Sequence, residues 1–173
     1  MKALFVILIL ITCAVSGNVA VERPTSSSSQ SMSCEYWWSK ADEDAPAARE
    51  AKKPDLSDPR VVMDGIECLL KMKGNKHPAK FRGAISLEVS QIFKDTTADV
   101  AALYYISYLF YEKWDHADAV ALRGPDGDFN TPEIIAEAYR SYEKWFAEVK
   151  KIGLPKAREM KLNPLKYSQI RWY

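Results

Sequence analysis

Glycine is scarce in this chain, cysteine scarcer, and histidine almost absent: 7, 3 and 2 residues among 173. The two histidines, His77 and His116, constrain any metal scheme, because a transition-metal site ordinarily draws on several His or Cys ligands. The few glycines form neither a phosphate-cradling loop nor a dinucleotide fingerprint, and the zinc-protease pair HExxH is missing. Charge of one sign is lacking too. The formal net charge is +1 and no basic block occurs, so the chain has no electrostatic footprint for nucleic acid. No apolar run reaches the about 20 residues that a membrane span requires. Alternation of the strand type never runs long enough to build a sheet.

The longest apolar run lies at the N-terminus. "LFVILILI" (4–11) follows Lys2 and is followed by small residues, the pattern of a secretory signal. Ala14-Val15-Ser16 fits a small-x-small cleavage site better than Asn18-Val19-Ala20, which predicts a signal peptide over 1–16 and a periplasmic or secreted product. "LITC" also approaches a lipobox, so an accessory lipoprotein lipidated at Cys13 is an alternative, and the only one that brings a membrane contact. Against it, Thr12 stands where Gly or Ala is usual, and a single acyl chain anchors only marginally. Removal of the signal leaves about 155 residues, the size of one domain, with a net charge near zero. It also leaves Cys34 and Cys68, which in an exported chain predict a disulfide. Closing that loop of about 35 residues is worth roughly 3–4 kcal/mol.

Residues 17–33, with the run "ERPTSSSSQSMS", read as a flexible Ser-rich linker, and 34–173 as a single α-helical domain. The aromatic knot Tyr36-Trp37-Trp38 must dock somewhere, since adjacent exposed indoles are costly to solubility. The stretch behind it, broken by Pro46 and Pro54, reads as a short helix or as linker. Beyond residue 57 the punctuation is regular. Asp58-Pro59 opens a helix that Gly74 closes, Thr96-x-x-Asp99 resembles a capping box, and Thr131-Pro132 opens a helix that Gly153 closes. Val62, Ile66, Leu69 and Leu70 make one apolar stripe; Ile135, Ala138, Tyr139, Tyr142, Trp145, Phe146 and Val149 make another. "LPKAREMKL" (154–162) predicts a short helix, and the tail an extended segment in which Ile170 and Trp172 share a side. "FRGAISLEVSQIF" (81–93) leans to helix. The class is all-α: a small bundle of three main helices plus short helices and an extended C-terminal tail.

The middle helix raises the functional question. "ALYYISYLFYEKWDHADAVAL" (102–122) begins apolar and aromatic and passes into Glu112, Asp115 and His116. On a wheel of about 100° per residue, Leu103, Phe110, Trp114, Ala117 and Ala121 share a side, opposite Glu112, Asp115, His116 and Arg123. That predicts a rod swallowed at its front and solvated at its back. Glu112 and His116 are one turn apart, which suggests a metal, yet no further His or Cys stands nearby; no metal and no cofactor are expected. "RGPDGDFNTP" (123–132) spaces Asp126, Asp128 and Asn130 like a calcium loop but lacks its Gly and its closing Glu, and reads as a turn. "WWSK" and "EVSQ" provide no nucleophile elbow. An envelope hydrolase using carboxylates near Glu112 and Asp115 is therefore the alternative. The main expectation is an exported helical binding protein, of the inhibitor or immunity type, that occludes a partner protein. Its surface would comprise Tyr105, Tyr108, Glu112, Asp115 and His116, since Tyr and Trp supply large contact area at low entropic cost.

Overall fold

Ser33 precedes the first helix, and Asp42 ends it by turning extended. That helix, α1 (Cys34–Ala41), opens the computed structural model, which describes residues 33–46, 53–80, 96–113 and 120–173. The aromatic knot is what docks it. Trp37 is buried, and the Trp38 indole donates to the Cys68 carbonyl at 2.8 Å. The Cys34–Cys68 disulfide ties its first turn to the next helix, with the Cα atoms 5.1 Å apart.

That next helix, α2 (Pro59–Leu70), starts where its cap demands. The Asp58 carboxylate accepts from Arg60 N at 2.9 Å, and Pro59 occupies the first helical position. Val62, Ile66 and Leu69 are buried, and turns carry the chain to Gly74, whose φ is +81°. Glycine is also needed inside α2. A Cβ on Gly65 would stand 2.8 Å from Trp37 Cε2 and Cζ2, so α1 crosses α2 at the one position without a side chain.

The central helix, α3 (Ala98–Tyr111), is buried at nearly every position from Ala98 to Phe110. It starts one residue later than the capping-box reading implies. Thr97 is the cap, and the buried Asp99 carboxylate accepts from Thr97 Oγ1, from Val100 N and from Lys76 Nζ. It also stops well short of the rod expected to run to residue 123. Glu112 adopts a left-handed conformation with φ 61°, and by 122 the chain is extended. Residues 114–119 and 81–95, which include the expected helix over 81–93, lie outside the described residues.

The longest helix, α4 (Pro132–Ile152), follows its punctuation fully. Thr131 Oγ1 accepts from Ile134 N at 3.3 Å, Gly153 (φ +87°) ends the helix, and every residue of the predicted stripe is buried. A short helix, α5 (Leu154–Glu159), comes next. The turn-like reading of 123–132 also holds. Asn130 Oδ1 accepts from Leu122 N at 2.8 Å and Gly124 N donates to Asp128 O at 2.9 Å.

The tail differs in part from expectation. Residues 164–169 form turns and bends, and only the last residues extend, as β2 (Arg171–Trp172), antiparallel to β1 (Leu122–Arg123) with Leu122 opposite Trp172. This two-stranded ribbon is the minor sheet of a mostly helical fold. Ile170 is buried and Trp172 packs edge-on against Tyr104, so the shared side of those residues faces the bundle.

Candidate functional site

Three local devices build a groove along α3. Asp55 Oδ1 accepts from Ser57 N and Ser57 Oγ at 3.0 and 2.6 Å, fixing the segment that leads into α2. The disulfide and Trp38 hold α1 opposite that segment. Helical spacing then brings Tyr105, Tyr108 and Leu109 to the floor between them. The result is a cleft of about 200 Å³ lined by Tyr36, Trp37 and Lys40 of α1, Lys53, Pro54 and Leu56 of the lead-in, Leu69 of α2, and Tyr105, Tyr108 and Leu109 of α3. A second cleft of about 270 Å³, lined by Leu56, Ser57, Tyr108, Leu109, Glu112 and Arg158, shares Leu56, Tyr108 and Leu109 with it. The two adjoin at those three residues and together make up the groove.

The groove is aromatic at its centre and charged at its ends. Lys40 Nζ sits 4.6 Å above the Tyr36 ring, a cation–π distance. Burial raises the Tyr36 phenol above its ordinary pKa, so the ring remains neutral across the physiological range. At the far end, Arg158 Nε and Nη2 donate to the carbonyls of Phe110 and Leu109 at 2.9 and 2.7 Å, and Nη1 pairs with the Glu112 carboxylate. A guanidinium on these carbonyls satisfies acceptors that a helix leaves orphaned and complements the negative end of its dipole.

Of the residues singled out in the sequence, Tyr105, Tyr108 and Glu112 thus lie along one groove. Their settings differ from a simple wet face. Tyr105 is 8% exposed and contributes only an edge, Tyr108 is half-buried, and the exposed Glu112 is engaged by Arg158. Asp115 and His116 lie outside the described residues. The opposite wall escaped sequence reasoning. The Tyr36-Trp37-Trp38 knot signalled a docking need, but nothing local states against what.

A second constellation sits at the other end of α1. Asp42, Asp44 and His77 bring one ligand atom each to within 4.8 Å of one another. His77 Nδ1 is 3.1 Å from Asp42 Oδ2 and 4.0 Å from Asp44 Oδ2. Burial favours the neutral Asp42 carboxyl, but hydrogen bonds from Asn75, Asp44 N and His77 outweigh it and hold that pKa below the ordinary value. No family model, curated protein or solved structure matches this chain. Among the described residues, no helix is long and apolar enough to cross a membrane.

Proposed function

We propose that this chain is an exported, non-catalytic helical binding protein that occludes a partner protein by seating an extended apolar segment of it in the Tyr105–Tyr108 groove. The observation that carries the reading is the groove itself: aromatic and aliphatic side chains from α1, α2, α3 and the lead-in converge on one apolar floor. Tyr36 and Tyr108, both half-buried in the groove, offer contact area with few rotors to freeze. Lys40 and Lys53 at one end favour a partner segment with a carboxylate just beyond its apolar residues. Export draws support from the apolar run after Lys2 and from the Cys34–Cys68 disulfide, since disulfides persist in oxidising compartments.

Site-directed photocrosslinking in the envelope or secreted fraction tests this. A photoreactive side chain in place of Tyr108 should give a discrete adduct with a partner protein, and Lys40→Glu with Lys53→Glu should weaken that adduct. The same probe in place of Arg140, exposed on α4, should not give it. Equal labelling from both positions, or none from Tyr108, would rule the groove out as the contact.

A further inference from the structure

We propose that Asp42, Asp44 and His77 form a binding site for a first-row transition-metal dication of the zinc class, clamping the segment just after α1 to the segment before α3. The donors come from two places 35 residues apart in sequence, and the backbone brings them together. Glu43 N donates to Pro78 O at 3.1 Å and Lys80 N to Ala41 O at 2.9 Å, and Asp42 and Ala79 form an antiparallel bridge. This pairing sets Asp42 opposite Ala79 and so brings it within reach of the His77 ring without help from an ion.

The donor set has the right chemistry. Zinc takes imidazole nitrogen and carboxylate oxygen at about 2.0–2.2 Å, which puts neighbouring tetrahedral donors roughly 3.4 Å apart. The His77 Nδ1 distances of 3.1 and 4.0 Å to Asp42 Oδ2 and Asp44 Oδ2 bracket that spacing. Two carboxylates balance a dication, and one imidazole selects against magnesium and calcium, which prefer oxygen throughout. The outer partners are in place as well. Asn75 Nδ2 donates to Asp42 Oδ2 at 2.7 Å and Asp44 N to Asp42 Oδ1 at 2.8 Å, orienting the buried carboxylate. Asp44 and His77 are exposed, so the ion has an entry path and room for water in its remaining positions. Lys76, next in sequence to His77, turns away to Asp99, which keeps an ammonium out of the site.

The site does not depend on the groove's function. The test is calorimetric titration of Zn²⁺ into the chelator-treated full chain with its disulfide intact, alongside melting curves. Saturable binding of one equivalent and a rise in Tm are expected. His77→Ala and Asp44→Asn should each weaken binding by more than about 10-fold, as much as losing an outer-shell partner alone can cost. His116→Ala should leave it unchanged, and Mg²⁺ should neither bind comparably nor raise Tm. His77 and Asp44 are both exposed, so the variants should fold, which circular dichroism checks. Absence of saturable binding, unchanged affinity in both variants, loss of binding in His116→Ala instead, or equal affinity for Mg²⁺ would each overturn the assignment.

Discussion

Arg158 caps the end of the central helix. Its guanidinium donates to the Leu109 and Phe110 carbonyls and pairs with Glu112, and its side chain is only 25% exposed, so these bonds are partly screened from water. Charged hydrogen bonds of this kind are worth more than neutral ones. Arg158→Ala should therefore cost about 2–3 kcal/mol in urea unfolding, because two carbonyls lose their donor. Arg158→Lys should recover less than half of that, since an ammonium lacks the planar fork. Glu112→Gln should cost under about 1 kcal/mol, because the Glu112 carboxylate is exposed and a solvated pair contributes little. If Glu112→Gln proved as damaging as Arg158→Ala, the ion pair rather than the carbonyl capping would hold the helix end. The same residue explains why Glu112 looks ambiguous in sequence. Glu112 is separated from Arg158 by 46 residues, and no wheel drawn on one helix can include a partner so far away.

At the level of elements, helix starts and stops were legible where their cause is local, to within one residue at the start of α3. Asp58-Pro59 and Thr131-Pro132 cap and open α2 and α4 through their own side chains, and Gly153 closes α4. The end of α3 was not, because its cause is tertiary, and the position of α1 was not, because it depends on a crossing. Gly65 makes that crossing possible. Gly65→Ala would raise α2's intrinsic helix propensity by about 1 kcal/mol, yet the new Cβ would lie 2.8 Å from two Trp37 ring atoms. Overpacking of that kind costs about 1–3 kcal/mol, so the substitution should destabilise the protein and perturb the near-ultraviolet signal of the tryptophans. In a Trp37→Leu background the same change should become neutral or stabilising, and the double-mutant cycle measures the coupling. An additive cycle would mean that α1 can slide away from α2 at no cost. The groove follows the same division. Tyr105 and Tyr108 share a face through helical spacing alone, whereas Tyr36, Lys40, Lys53 and Leu56 come beside them only through this packing. The pairing of Asp42 with His77 was equally hidden, because it depends on backbone bonds between distant segments.

Across the whole molecule, the chain closes on itself at Tyr142. This fully buried phenol on α4 shares a 2.5 Å hydrogen bond with Ser107 of α3 and accepts from Trp172 Nε1 of β2 at 2.9 Å. The C-terminal ribbon, the central helix and the longest helix therefore meet at one hydroxyl. Burial pushes the Tyr142 phenol far above its ordinary pKa. Burial first, then the Asp99 charge, does the same to Tyr139, whose hydroxyl donates to Asp99 O at 3.0 Å. The sign of the linkage follows. Both groups are protonated in the folded and unfolded chain below about pH 10, the ordinary tyrosine value, so their contribution is intact there. Above it the unfolded chain ionises while the folded chain resists, and stability falls as pH rises toward the folded values, by up to about 1.4 kcal/mol per pH unit for each phenol. Urea unfolding between neutral pH and strong alkali, with tyrosinate absorbance followed in parallel, should show these two phenols ionising only on unfolding. Tyr142→Phe should lower stability at neutral pH by about 1–2 kcal/mol, since the Trp172 indole loses this acceptor and Ser107 keeps only its bond to the Leu103 carbonyl. It should also make the alkaline decline shallower, because one of the most strongly raised phenols is gone. An unchanged alkaline slope in Tyr142→Phe would show that this hydroxyl is already open to water, and that the ribbon is not sealed onto the bundle there.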